Sequence, residues 1–159
     1  MGNHKAEAGR YLSFTLGEEA YAVPVGNVEV VLETPLVTRV PNAEAHLRGV
    51  INYRGSVVPI IDPSIRFGGT AIPVDGNSSV IVLQMRYDGE DVVIGMLADG
   101  VREVVDVGSA EIEPAPSMSL LSAGDFVSGV ARIGGEFVVI LDVESAFARN
   151  AVFTGAGNP

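Results

Sequence analysis

Cysteine and tryptophan are absent from the chain, and histidine occurs only at His4 and His46. The first absence removes disulfides, thiolate nucleophiles and cysteine-based zinc sites together. With His4 in a polar end and His46 in a polar loop, a histidine-dependent triad or metal cluster has no material. Long apolar runs are also missing. The longest, such as Phe137 to Leu141, spans five residues, against the roughly 20 that a membrane helix needs. The opening Met1-Gly2-Asn3-His4-Lys5-Ala6-Glu7 has no apolar centre of a signal peptide, and Ala6 stands where a myristoylation signal carries Ser or Thr. Without a secretory signal, Asn77-Ser78-Ser79 is a chance glycosylation match in a loop. Basic side chains are scarce, 10 against 20 acidic ones, for a net charge of −10. Such a surface repels phosphate backbones and anionic lipid heads, which excludes nucleic acid and direct membrane insertion. A cytoplasmic protein is expected.

What is present is branched and apolar. Of 159 residues, 47% are hydrophobic, and 19 are glycine. Val and Ile recur in short clusters, which suit a pleated, half-buried surface. Tyr11 to Leu16, Ala20 to Val25, Val57 to Ile61, Val80 to Met85, Val92 to Leu97, Val101 to Val107 and Phe137 to Leu141 read as strands. Asp88-Gly89, Gly134-Gly135 and Arg54-Gly55 read as hairpin turns, because glycine accepts the positive φ that tight turns require. Clear helical signal lies mainly at the end, where Asp142 can cap a helix through about Arg149 with Val143 and Phe147 on one face.

The strands are not independent. Gly49-Val50-Ile51-Asn52-Tyr53-Arg54-Gly55 and the Ser56-Val57-Val58-Pro59-Ile60-Ile61-Asp62 that follows repeat eighty positions later as Gly129 to Asp142, with Gly49, Val50, Gly55, Val58, Ile60 and Asp62 identical in both copies. Phe67 and Phe147 keep that offset. At an offset of 73, Tyr21-Ala22-Val23 aligns with Ile94-Gly95-Met96, Val28 with Val101, and Pro41 with Pro114. The pattern implies a duplication: two similar small barrels of about five strands, each near the lower size limit for its own core and therefore packed together. Pro63 to Ser79, rich in turn residues, is the expected connector. Residues 1–9 and 155–159 are expected to be disordered.

Several of these segments together resemble the CheW family, the coupling proteins of bacterial chemotaxis and the related regulatory domain of the kinase CheA. The resemblance runs from about Tyr11 to Phe147. It rests on Phe14-Thr15-Leu16-Gly17 with Tyr21, Val37-Thr38-Arg39-Val40-Pro41, and Leu47-Arg48-Gly49-Val50-Ile51-Asn52-Tyr53-Arg54-Gly55. It continues through Val57-Val58-Pro59-Ile60-Ile61-Asp62, Phe67-Gly68, Ile94-Gly95-Met96-Leu97-Ala98-Asp99-Gly100-Val101-Arg102-Glu103-Val104 and Ile112-Glu113-Pro114-Ala115-Pro116. The combination of Asn-x-Arg-Gly, Val-Pro-Ile-Ile-Asp and a later Gly-x-x-x-Asp-x-Val is what makes it specific. The resemblance implies an all-β fold of two packed SH3-like five-stranded barrels with a short C-terminal helix. It implies one CheW-like domain over residues 10–150, with subdomains at about 11–68 and 80–148 and end strands free to cross between them. It further implies a non-enzymatic adaptor, without cofactor or metal, that joins the cytoplasmic tips of methyl-accepting chemoreceptors to the regulatory domain of the histidine kinase CheA. Recruitment to membrane-receptor arrays, with array or ring assembly, follows from the same likeness, as does a free-standing coupling protein rather than a kinase fragment. Three departures stand out: Tyr53 replaces a usual Leu, Pro63-Ser64 replace Leu-Arg, and the acid usually found at Val30 stands instead at Glu29.

Arg54 is the first candidate for partner contact, since a hairpin tip should project its guanidinium, a planar fork of donors suited to a carboxylate. Alone, the residue also reads as a solvated turn; the resemblance assigns it to coupling. Gly49 is either a surface kept clear for a partner or a backbone position needing positive φ, and its counterpart Gly129 favours the second. Val28, Val30, Val31 and Leu32 read as core or as an apolar patch; the resemblance makes Val28 and Val31 receptor-groove residues, with Leu97 and Ala98 on the other wall. Asp62, Asp99 and Asp142, at strand ends, read as turn-fixing carboxylates rather than a hydrolytic pair. Competing readings are an adaptor of a pili, surface-sensing or developmental pathway, a small-ligand-binding β-barrel with a deep apolar pocket, and an acidic-dyad hydrolase using Asp62 and Asp99.

Overall fold

A computed structural model describes residues 6–33, 36–113 and 126–147. Eleven strands alternate with short turns: β1 (Gly9–Leu16), β2 (Glu19–Pro24), β3 (Val28–Glu33), β4 (Leu47–Tyr53), β5 (Ser56–Ile61), β6 (Ser79–Tyr87), β7 (Glu90–Ala98), β8 (Gly100–Val107), β9 (Ile112–Glu113), β10 (Val127–Ile133) and β11 (Glu136–Leu141). All seven strands read from the sequence are present, with ends displaced by at most two residues. Each of the three turns reads as expected. Asp88 and Gly89 have φ of 54° and 81°, Gly134 and Gly135 58° and 81°, Arg54 and Gly55 56° and 83°; paired positive values match the right-handed twist of the flanking strands.

One short helix was not read from the sequence. α1 (Pro63–Arg66) starts on Asp62, whose side chain accepts the amides of Ser64 and Ile65. Asp as N-cap followed by Pro at the first helical position is a start signal in its own right. It lies within the stretch expected to be connector. Residues 143–147 are helical behind Asp142, which accepts from Ser145 N at 3.3 Å and Ser145 Oγ at 3.0 Å. The expected continuation to Arg149, and the end 155–159, lie outside the described residues, as does Pro114. The N-terminal stretch expected to be disordered is held from residue 6: Ala6 N donates to Ser128 O, Tyr11 Oη donates to Glu7 O, and Gly9 pairs with Val107.

The strands form two sheets, in the orders β8-β1-β2-β11-β10-β9 and β3-β6-β7-β5-β4. Neither is built from a contiguous half of the chain. β1 and β2 leave the first copy to join β8 to β11, and β6 and β7 leave the second to join β3 to β5. The two offsets of the repeat predict this register. Ile60 pairs in parallel with Gly95, and moving the first by 80 and the second by 73 gives Ile140 and Ala22, which pair in parallel in the other sheet. Irregular register recurs at matching places as well, between Leu47 and Gly49 and between Val127 and Gly129.

The exchange explains the apolar runs. In β1, Leu12, Phe14 and Leu16 enter the large core shared by both sheets, while Tyr11 enters a smaller cluster with Ala20, Ala22, Val107, Ala131, Val138 and Ile140. β6 buries Val80, Ile81, Val82 and Leu83 in succession, as a strand covered on both faces must. Each such Leu or Ile side chain contributes about 1.5–3 kcal/mol on burial. The offset pair Phe67 and Phe147 meets across the junction with ring centroids 6.3 Å apart. Arg66 reaches over in the same region, its Nε donating to Ala146 O at 3.2 Å.

Candidate partner-binding surface

The β4–β5 hairpin positions Arg54. Asn52 Oδ1 accepts the Gly55 amide at 2.9 Å and closes the turn. Arg54 therefore sits at φ 56°, in the left-handed region, where its counterpart in the second copy is Gly134 at φ 58°. A side chain with a Cβ costs roughly 1–2 kcal/mol there. Strain at a turn that accepts glycine elsewhere in the same chain motivates a functional reading of the arginine. The side chain is 75% exposed, its Cζ lies 5.1 Å from the Tyr53 ring centroid, and Nη1 stands 3.7 Å from Glu29 Oε2.

Glu29 reaches this tip from β3, an edge strand. The β3–β6 register shifts between Val28 and Val30, and such a bulge re-aims a side chain. Tyr53 Oη donates to Glu29 Oε2 at 3.5 Å. Two of the departures from the family pattern, Tyr53 and the displaced acid, thus converge on Arg54. Sequence alone could not bring them together, because they lie on strands separated by β6, β7 and β5 in the sheet.

The remaining expected residues divide. Val28 and Val31 are half-buried on β3, packed against the core with part of their surface open; Val28 to Leu32 is strand throughout. Leu97 and Ala98 are a correction: both are 0% exposed. They belong to the core because β7 is covered on both faces, so they offer a partner no surface. Gly49 is buried at φ 151°, and a Cβ there would run into the Thr38 carbonyl oxygen and lie 2.7 Å from Val37 Cγ1. The backbone requirement is direct, since Thr38 and Val50 exchange two hydrogen bonds of 2.8 Å beside it.

The strand-end aspartates fix turns, Asp62 and Asp142 just behind their own strands and Asp99 at the distant β1–β2 turn. Asp62, fully buried, accepts from Ser64 N, Ile65 N, Ile72 N and Arg48 Nη1 at 2.9–3.2 Å. Asp99 Oδ2 accepts from Gly17 N at 2.5 Å. His46, largely buried beside this network, has its pKa lowered, first by burial and then by the Arg66 charge, against the opposing pull of Glu44 and Asp62. Among the described residues no group of three or more His, Asp or Glu is arranged to hold a metal, and no helix is long and apolar enough to cross a membrane.

Two interlocked sheets of six and five strands, with a strained arginine at one hairpin tip and a half-open apolar edge strand beside it, define a small all-β module. Residues 10–151 match the family described as CheW-like domain, and the chain belongs to that family. It is 34% identical to Chemotaxis protein CheW of Klebsiella aerogenes over 134 residues, 84% of this chain and 78% of the relative. It is 31% identical to Chemotaxis protein CheW of Rhizobium meliloti, over 91% of each chain. The solved scaffolding protein TtCheW of Thermoanaerobacter tengcongensis superposes with a TM-score of 0.73 at 28% identity, over 84% of this chain and 88% of that one. The two sheets are accordingly SH3-like units, and the protein is a chemotaxis scaffold of the CheW type.

Proposed function

We propose that this chain is a cytoplasmic, non-enzymatic adaptor that couples methyl-accepting chemoreceptors to the histidine kinase CheA. The observation that carries the reading is Arg54, kept at a left-handed backbone position that the second copy gives to glycine. Beside it, Val28 and Val31 offer apolar surface to a helical receptor tip, and the regulatory domain of CheA, which resembles this chain, docks on a barrel end. Contacts of this kind are individually weak, and holding several at once raises effective concentration without new chemistry. Signal passes as a bias between arrangements of the kinase.

A second reading, an adaptor of a pilus pathway, draws on a weaker likeness: 29% identity over 107 residues with Protein PilI of Pseudomonas aeruginosa. Co-sedimentation with CheA and receptor signalling fragments tests the main reading. Wild type should bind both at low and moderate salt, and Arg54→Glu should lose at least one. Arg54→Gly relieves the backbone strain and should lose binding while melting no lower than wild type. A wild type that binds neither partner sinks the coupling assignment, and variants that bind both as well as wild type remove Arg54 from it.

A further inference from the structure

At the helix-capping aspartates the two copies differ in a way that the adaptor reading does not use. In the first copy the connector covers the buried Asp62 carboxylate. Ile72 N donates to Asp62 Oδ2 at 2.9 Å, Arg48 Nη1 bridges Asp62 Oδ2 and Ile72 O at 2.9 and 2.6 Å, and Ile72 is buried. The second copy repeats the seat. Asp142 N donates to Phe126 O as Asp62 N does to His46 O, and Ala146 N returns to Asp142 O as Arg66 N does to Asp62 O. Over Asp142, however, opens a pocket of about 350 Å³, whose lining includes Glu7, Tyr11, Ser128, Asp142, Val143 and Glu144.

Strand register tells which segment belongs there. Leu12 pairs with Val23 and Val104, and Ile81 with Met96 and Val31. Val23 and Met96 are 73 apart, as are Val31 and Val104, so Leu12 is the counterpart of Ile81, 69 positions earlier. Carried back along the chain, that offset sets Asn3 opposite Ile72 and Lys5 opposite Val74. The chain already reaches the pocket at residue 6, where Ala6 N donates to Ser128 O at 3.3 Å. Five more residues extend up to about 16 Å, enough to cross a pocket of this volume. Charge points the same way. Arg48, the cation of the first seat, is matched by Ser128, and Ser64 by Glu144, so the second seat has one base fewer and one acid more. Glu7 adds another acid, and Arg10, also in the lining, is held by Asp106 at 3.1 Å. Where the first strap carries neutral Val74, the second carries Lys5. The cation that one copy supplies from a strand, the other has on the strap.

We infer that this chain's own residues 1–5 close over the pocket as a strap, with Asn3 in the place of Ile72 and the Lys5 ammonium against Asp142 and Glu144. The strap steadies helical residues 143–147, whose Ala146 O accepts from Arg66 of the other sheet. This goes beyond the adaptor reading and is independent of which partners bind.

Amide hydrogen exchange tests it, with the first copy as an internal control. In a chain lacking Gly2 to Lys5, the Ser145 and Ala146 amides should exchange roughly tenfold faster, while their counterparts Ile65 and Arg66 stay within about twofold of wild type. Lys5→Glu should act in the same way and Lys5→Arg should not. Lys5→Glu combined with Glu144→Lys should recover most of the protection, because the swap restores the pair. Exchange of Ser145 and Ala146 within about twofold of wild type, in either the shortened chain or Lys5→Glu, overturns the strap. Equal acceleration at Ile65 and Arg66 also overturns it, since stability is then lost everywhere, and so does a charge-swapped chain no better protected than Lys5→Glu.

Discussion

Replacing Gly49 by Ala, alongside Gly129 by Ala, separates a demand of the backbone from a demand of a partner. The two glycines are equivalent in the repeat, yet their surroundings differ. At Gly49 a Cβ meets the Thr38 carbonyl and Val37, with φ at 151°. At Gly129, which is not at positive φ, the nearest atoms are Ala6 Cβ and Glu113 O, both at 3.2 Å. Gly49→Ala must therefore push away the single-residue bridge that Thr38 forms with Val50. Two backbone hydrogen bonds are worth about 1 kcal/mol each, and the strained φ adds about 1 kcal/mol more, so about 3 kcal/mol is lost. Gly129→Ala asks its neighbours to yield by a few tenths of an ångström, for about 1 kcal/mol. At a few degrees per kcal/mol for a domain of this size, the melting temperatures fall by roughly 9 °C and 3 °C. Calorimetry on both variants, with binding measured well below the melting point, reads the difference. If Gly49→Ala melts with wild type and only binding disappears, the glycine serves a partner and the steric reasoning here is refuted.

Asp62→Ala leaves the Arg48 charge and three backbone amides without their acceptor, and should cost about 3–5 kcal/mol in a urea titration; a loss under 1 kcal/mol would show that the network is not what fixes the connector. His46 gives a pH dependence. Because its folded pKa lies below the usual histidine value, the stability it contributes is complete above the unfolded pKa, near 6.5, and is lost as pH falls through the folded pKa, when the unfolded chain takes up the proton first. His46→Gln should flatten the stability profile on that acid side, and an unchanged slope would discount the burial of the imidazole.

Strands and turns were legible because each is a local pattern. Val80 to Met85 is apolar without interruption, and Asp88-Gly89 can do little but turn. The duplication was legible through residues whose chemistry is hard to replace, such as Asp62 and Asp142, which cap helices, and Gly55 and Gly135, which need positive φ. Strand exchange was expected only through the family resemblance, since the pattern of β1 says which faces are buried and not which neighbour covers them. The same gap placed Leu97 and Ala98 on a groove wall, when an apolar pair on a doubly covered strand belongs to the core. Arg54 stood out as a candidate by its place beside Gly55. Its links to Glu29 and Tyr53 depend on distances that no spacing in the chain encodes.

The exchange of strand pairs also dictates an order of events on the ribosome. Residues 28–61 emerge with no complete sheet to join until β7 ends at Ala98. β1 and β2 must wait longer still, for β8 and then β11, which ends at Leu141. At about 5–20 residues per second the nascent N-terminus carries unpaired, apolar edges for roughly 6–24 s before its last neighbour arrives. A nonsense codon anywhere in the second copy would therefore release a chain with an orphaned hairpin, destined for proteolysis or aggregation rather than a working half-protein.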